Sequence, residues 1–281
     1  MSPIHDQGYR RYAGERAPHG RAWLVIASAG IRTFITKRVF LGLLLLSWFQ
    51  FLGRVAQIYF TVTTPQWPAL LAASADSYRQ FLDVQSVFVF FITVYVGSGL
   101  IANDRRANAL QIYLSKPLTR SEYILGKFAI LMAFLLLITW VEGLLLLLIQ
   151  TLLAGSFKFV IDNLYLFPAI TLVSFIQTTM AAAAMLALSS LSNSARYVAI
   201  LYAALIFFSQ ALFNVLRFVT GGSTVAWISF SANLEQISRL IFRQPLVYET
   251  PWIVSFLMIA ALIVVSGWVL ERRVRGVEIV S

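Results

Sequence analysis

The chain has 281 residues, of which 59% are hydrophobic and only 12% charged, and its mean hydropathy is +0.78. Soluble domains carry about 25% charged residues, so this composition excludes a soluble protein with a large core. The sequence contains no cysteine, which excludes disulfides, thiol catalysis and cysteine-bound metals. The net charge of +10 is explained below by topology, without nucleic acid.

The first predicted element is an amphipathic helix at the end of a basic N-terminal region, residues 1–38. In the stretch RAWLVIASAGIRTFITKRV, apolar residues recur at helical spacing while basic residues lie on another face. The apolar stripe consists of Leu24, Ala27, Ile31, Phe34 and Ile35. This pattern predicts a helix that lies along the membrane surface. The alternative is a disordered basic tail that runs directly into the first span.

Six apolar runs follow, and each is long enough to cross about 30 Å of hydrocarbon. They are Val39–Phe60, Phe81–Ala102, Phe128–Ala154, Leu164–Leu188, Tyr197–Val219 and Trp252–Leu270. The sequence therefore predicts an all-α, polytopic transmembrane domain over residues 39–281. Residues 220–251, before the last run, carry an apolar stripe that predicts a helical segment. That segment either caps the exit of the bundle or rests on the membrane surface.

The basic residues indicate how these spans are oriented. An even number of spans places both termini on one side, and cytoplasmic loops carry the excess of Lys and Arg. With the termini inside, 16 of the 22 basic residues are cytoplasmic, and six lie outside or within spans. Those six are Arg54, Arg79, Lys158, Arg217, Arg239 and Arg243. We therefore expect cytoplasmic termini, with the excess charge facing anionic lipid headgroups.

The connection between the second and third spans carries organised start and stop signals. Asn103 is a good helix N-cap, and Asp104 suits the positive first turn of a helix. Pro117 ends that helix, because the residue before a proline is pushed out of the α region. Thr119 and Glu122 then form a capping box. The pattern predicts a rigid elbow: a short amphipathic helix, a proline break and a capped helix entering the third span. The alternative is that these signals only guide the chain back into the membrane.

This stretch, LIANDRRANALQIYLSKPLTRSEYILGK, resembles the elbow between the second and third spans of ABC transporter permeases of the ABC-2 type. The shared pattern is an Asp-Arg pair, a leucine-bearing helix, a Ser-x-Pro break, an Arg, and a Gly-Lys that enters the next span. The matching positions are Asp104, Arg105, Leu110, Ser115, Pro117, Arg120, Gly126 and Lys127. The later stretches ISFSANLEQISRLIFRQPLVYETPWIV and LERRVRGVEIV are similar to the gliding-motility and nitrous-oxide-reductase-maturation branch.

The resemblance implies a six-span permease subunit that exports a substrate across a bacterial inner membrane. Its implied partners are a second permease, identical or paralogous, and two cytoplasmic ATPase subunits. The elbow, residues 103–127, would be the coupling helix seated in an ATPase groove. We expect charged contacts from Asp104, Arg105 and Arg106, and groove-filling contacts from Leu110 and Tyr113. The polar loop at 189–196 is a second ATPase contact by resemblance, and a tight turn when read alone.

The sequence lacks the motifs for ATP binding, zinc binding and Ser-His-Asp catalysis. The sequence has no G-x-x-x-x-G-K-[ST] loop, so we expect ATP and Mg²⁺ on the partner ATPase and no cofactor on this chain. Its only histidines are His5 and His19, which argues against a zinc site or a Ser-His-Asp site inside the membrane. The sequence thus predicts a transport subunit that is not an enzyme. The alternative is a membrane anchor that recruits a cytoplasmic partner without transport.

One carboxylate, Glu142, lies near the middle of the third predicted span. An ionised side chain there costs a few kcal/mol, so we expect it to face protein or a water-filled cavity. Gln50 of the first span lies at a similar predicted depth and Arg54 about one turn further out, and we expect one of them close to Glu142. Two interpretations are open. Glu142 holds helices together by hydrogen bonds, or it marks the translocation path or the seam between two permeases.

Overall fold

Helices account for most of the residues that the computed structural model describes, which are 22–63, 75–109, 119–154 and 158–274. Within these ranges there is no strand, and six helices are long and apolar enough to cross a membrane. Numbered as spans 1 to 6, they are Arg38–Thr63, Asp76–Arg106, Arg120–Ala154, Leu166–Leu191, Ala195–Thr220 and Trp252–Arg273. Each overlaps one predicted run, so the six-span fold is confirmed.

Two of the spans are not continuous α-helices. Span 2 consists of Ala75–Ile92, a π-helical turn at Thr93–Gly97 and a short final helix at Ala102–Arg106. Span 3 consists of Arg120–Leu136, a π-helical turn at Leu137–Val141 and the helix Glu142–Ala154. A π-helical turn redirects backbone carbonyls and is frequently found at functional sites. The shorter helices outside the spans are Ala22–Ile35, Lys158–Asp162, a 3₁₀ turn at Ala226–Ile228 and Phe230–Ile241.

The N-terminal helix, Ala22–Ile35, packs lengthwise against the start of span 3. Glycines allow the close approach: a Cβ added at Gly126 would lie 2.8 Å from the Ile26 Cβ. The predicted helix is therefore present, but it is docked on the bundle. Its buried side is centred on Ala27, whereas Leu24 and Ile35 of the predicted stripe are about half exposed.

The core of the bundle falls into two large apolar clusters. We call the end that holds Asp104 and Arg120 the elbow side, and the opposite end the far side. One cluster, around Phe40, Tyr123 and Leu131, fills the elbow side. The other fills the far side and includes Phe51, Phe81, Leu146 and Leu166. Spans 1, 2 and 3 contribute to both clusters, so polar side chains located between the two must lie near the middle of the bundle.

The predicted helical segment at 220–251 is folded into the far side. We call its main helix, Phe230–Ile241, the far-side helix. Ser229 caps this helix by accepting a hydrogen bond from the Ala232 N–H at 3.1 Å. The fully buried Gln236 donates to the Tyr248 and Thr250 carbonyls, each at 2.9 Å. The helix also packs against spans 2, 4, 5 and 6. The segment is therefore packed into the bundle and does not rest only on the membrane surface.

Candidate functional site

The base of the elbow is held by a nearly buried ion pair between spans 2 and 3. Lys127 Nζ lies 2.7 Å from Asp104 Oδ2, and the two side chains are 11% and 19% exposed. The Tyr123 hydroxyl donates to the same carboxylate oxygen at 2.7 Å. Because hydrogen bonds to charged groups are the stronger ones, this cluster fixes the end of span 2 against the start of span 3.

The last turn of span 4, where the predicted polar loop at 189–196 begins, is tied to the same base. Ser189 Oγ accepts hydrogen bonds from the Ile101 and Ala102 N–H groups at 3.1 and 3.0 Å, and donates to the Ser98 carbonyl at 2.9 Å. The Arg105 guanidinium donates to the Ser190 carbonyl. The chain leaving span 2 is thus bonded to spans 3 and 4 together, which goes beyond what a simple turn at 189–196 would require.

The start signals of the elbow are partly confirmed. The capping box forms as predicted: the Glu122 N–H donates to Thr119 Oγ1 at 3.2 Å, and the Thr119 N–H donates to Glu122 Oε2 at 3.0 Å. The predicted N-cap at Asn103 is wrong. The helix is capped at Ile101, and Asn103 lies inside it. The π-helical turn of span 2 leads almost directly into this final helix of the span, with the Asn103 N–H bonded to the Gly99 carbonyl at 3.1 Å, so no new helix start is needed there.

The elbow residues divide into inward and outward groups. Asp104 and Arg105, expected to contact a partner by charge, are engaged within the chain by Lys127 and Ser190. Arg106 is exposed and makes no hydrogen bond or ion pair with the described residues. The same is true of Arg120 on span 3. Four further predicted contact residues, Leu110, Tyr113, Ser115 and Pro117, lie outside the described residues.

A second polar cluster lies between the two apolar clusters and joins spans 1, 2 and 3. Glu142 is fully buried and accepts hydrogen bonds from Ser47 Oγ at 3.1 Å and from Gln85 Nε2 at 2.6 Å. Gln85 Nε2 also lies 2.6 Å from Ser47 Oγ and 2.7 Å from the Ile138 carbonyl, which belongs to the π-helical turn. We call Ser47, Gln85 and Glu142 the mid-bundle cluster. The expectation that Glu142 faces protein is met.

Neither residue expected beside Glu142 is among its hydrogen-bond partners in the described residues. Arg54 donates to Gln57 on its own helix at 2.9 Å and forms no ion pair with Glu142. The Gln50 amide oxygen is buried without a hydrogen-bond partner among the described residues. Ser47 and Gln85 reach the carboxylate instead. They supply short neutral donors at the same depth, and avoid burying a guanidinium, which is more costly than burying a neutral polar group.

The sequence contains only weak signals for the residues that were missed. Gln85 is an amide inside an apolar run, which indicates a hydrogen-bonded position without naming the partner. Ser47, within LLLLSWF, is small and ordinary in a membrane helix. Lys127 was recognised as part of the elbow pattern, but its pairing with Asp104 depends on the turn between spans 2 and 3.

A cavity of about 560 Å³ opens between spans 2, 4 and 5 and the far-side helix. Its far-side end is lined by polar side chains, including Asp83, Glu235 and Ser238. Its opposite end is lined by apolar and aromatic side chains, including Phe90 and Phe207. The volume is within the range of small-molecule sites, about 300–1,000 Å³.

Comparison with known proteins agrees with this architecture. A family model described as "ABC-2 family transporter protein" matches residues 24–269. That range runs from the N-terminal helix into span 6 and includes the elbow, the mid-bundle cluster and the cavity. No curated protein matches the sequence. Because the family model covers most of the chain, this six-span membrane protein belongs to the ABC-2 transporter family.

Proposed function

We propose that the chain is the permease subunit of an ATP-driven exporter whose ATP and Mg²⁺ are bound by a separate ATPase subunit. The observation that carries the proposal is the bonded base of the elbow. Asp104, Arg105, Lys127 and Ser189 connect the elbow to spans 2, 3 and 4 at once. A force applied at the elbow would therefore reach three spans together, as rigid-body movement of a transporter requires.

The same proposal places the elbow side in the cytoplasm of a bacterial inner membrane. It is supported by the excess of basic residues on that side. We expect a reporter fused after Ser281 to remain cytoplasmic and a reporter inserted near Asp162 to be external. Accessibility labelling of both fusions measures this, and two reporters on one side would contradict the six-span orientation.

Export, a second permease and the gliding-motility or nitrous-oxide-reductase-maturation branch also belong to the proposal. They are supported by the likeness of the elbow, the segment before span 6 and the C-terminal stretch to that branch. The polar far-side end of the cavity fits export, because it provides a place from which a substrate leaves on the far side. The alternative of a membrane anchor predicts no dependence of transport on the elbow.

Reversing the charge of the two exposed arginines should uncouple the permease from its ATPase. Arg106→Glu combined with Arg120→Glu should leave the protein inserted and stable, since neither side chain has a partner among the described residues. Like charges placed together across an interface cost several kcal/mol, so we expect the amount of co-purified ATPase to fall at least tenfold.

The matched control is Arg273→Glu, which reverses an exposed arginine at the elbow-side end of span 6. It changes the charge of the same membrane face without touching the elbow, and should retain the ATPase. Equal losses in the control and the double variant would show a general charge effect, and no loss in either would contradict coupling through the elbow.

A further inference from the structure

The cavity between spans 2, 4 and 5 has a polar end and an apolar end. Asp83 and Phe90 both belong to span 2 and lie about 10 Å apart along the helix axis, at about 1.5 Å per residue. Asp83, Ser86, Glu235 and Ser238 line the far-side end, whereas Phe90 lies at the deeper end. A ligand that fills this space must therefore be amphipathic, with its polar part under the far-side helix.

Two buried side chains in the cavity wall lack partners. Ser238 is 2% exposed, and its hydroxyl oxygen has no hydrogen-bond partner. Gln177, on span 4, is 4% exposed, and its amide bonds to no other residue in the part of the chain that the structure describes. Buried polar groups are normally hydrogen-bonded. The Ser238 oxygen has almost no accessible area and is closed off from the cavity. Gln177 lines the cavity, so its amide is the group that indicates a ligand or water there.

The charged groups in the cavity wall are all carboxylates. Asp83 and Glu235 line it, and no described Lys, Arg or His does. Each carboxylate already has an arginine outside the lining: Arg79 donates to Asp83 Oδ2, and Arg239 to Glu235 Oε1 at 3.0 Å. No described residue donates to Asp83 Oδ1, and 41% of the Asp83 side chain is exposed. An anionic head would therefore find carboxylates and no basic side chain among the described residues that line the cavity.

The apolar end adds aromatic faces. Phe90 stacks on Tyr202 with ring centroids 5.7 Å apart, and its ring meets Phe207 edge-on at 5.1 Å. All three residues line the cavity. Aromatic faces attract cations as well as apolar groups, so this end is compatible with a positively charged molecule and offers no anion-binding group.

We propose that this cavity binds a small amphipathic organic cation, with the positive charge near Asp83 and Glu235 and the apolar body against Phe90 and Phe207. The inference rests on the proposed transport function, since it names the class of substrate that the permease would carry.

The test is equilibrium dialysis of the full-length permease in nanodiscs against two bulky organic ions of similar shape and opposite charge. Tetraphenylphosphonium should bind saturably above the level of protein-free nanodiscs, and tetraphenylborate should not. Asp83→Asn should weaken tetraphenylphosphonium binding at least tenfold, because it removes the carboxylate that faces the cavity.

Asp76→Asn is the matched control. Asp76 shares span 2 and the Arg79 partner with Asp83, with Arg79 Nε 2.9 Å from Asp76 Oδ1, but it does not line the cavity. Its replacement should change binding less than twofold. Glu235→Gln provides a second cavity variant if Asp83→Asn does not fold. It should weaken binding by a smaller factor, about threefold, because Arg239 and the Tyr248 hydroxyl already bond to the two Glu235 oxygens.

Three results would overturn the inference: tetraphenylborate binding as tightly as tetraphenylphosphonium, equal losses in Asp83→Asn and Asp76→Asn, or no binding above protein-free nanodiscs. The dialysis contains neither ATPase nor ATP. A failure here would therefore leave coupling through the elbow intact, and a failure of the charge-reversal experiment would leave the binding result intact.

Discussion

Replacing Lys127 with methionine should destabilise the protein by about 3–5 kcal/mol, the usual cost of stranding one member of a buried ion pair. Among the described residues, the carboxylate of Asp104 would keep the Tyr123 hydroxyl as its donor. Thermal unfolding of the purified permease in detergent measures the loss. We expect spans 2 and 3 to separate at the elbow side first, because this pair joins them.

The double variant Lys127→Met with Asp104→Leu should recover most of that stability. Replacing a buried pair by apolar residues of similar volume is often neutral, whereas breaking it is not. Arg106→Met, two residues after Asp104 on the exposed face, is the control and should change stability by less than about 0.5 kcal/mol. Equal losses in the single and double variants would mean that the ion pair does not support the elbow.

The mid-bundle cluster should show strong coupling between Gln85 and Glu142. Gln85→Leu removes the amide that donates to the Glu142 carboxylate and to the Ile138 carbonyl and leaves Glu142 with Ser47, so we expect a loss of about 1–3 kcal/mol. Glu142→Leu should cost less, because Gln85 keeps the Ser47 and Ile138 oxygens as acceptors. Glu142→Gln should be milder still, since an amide retains an acceptor for Gln85. The double Gln85→Leu, Glu142→Leu should lose less than the sum of the single variants, with a coupling energy of about 0.5–3 kcal/mol.

The comparison is a second double-mutant cycle, between Arg54 and Glu142. Arg54 bonds to Gln57 and shares no partner with Glu142, so Arg54→Leu and Glu142→Leu should add within about 0.5 kcal/mol. Chemical or thermal unfolding of the four single variants and two double variants measures both cycles. Simple additivity in the Gln85 cycle, or strong coupling in the Arg54 cycle, would show that the mid-bundle cluster is assigned to the wrong residues.

Local signals in the sequence predicted the fold well. Span number and approximate bounds follow from apolar runs of about twenty residues. The capping box at Thr119 and Glu122 follows from a four-residue pattern, and the N-terminal helix from its periodicity. The N-cap predicted at Asn103 is wrong because asparagine is also tolerated inside a short helix such as the one that ends span 2. The sequence does not show where one helix ends and the next begins.

The sites were less predictable, because they depend on how helices rotate against one another. Arg105 and Arg106 are neighbours in sequence, yet only Arg105 turns inward, and the Ser190 carbonyl that receives it is far away in the chain. Predicted depth indicated Gln50, or Arg54 one turn further out, for Glu142, but depth does not say which face of span 1 meets span 3. Ser47 is the residue on the face of span 1 that meets Glu142. Nothing about a serine in an apolar run marks it for this role.

The central claim is that a separate ATPase drives this permease through the elbow. The most direct test is to measure ATP hydrolysis and transport together in the assembled complex, with the Arg106→Glu, Arg120→Glu variant compared with Arg273→Glu. We predict that the double variant loses both the bound ATPase and transport while remaining correctly inserted, and that Arg273→Glu retains both. Normal transport with a normal rate of ATP hydrolysis in the double variant would contradict the account.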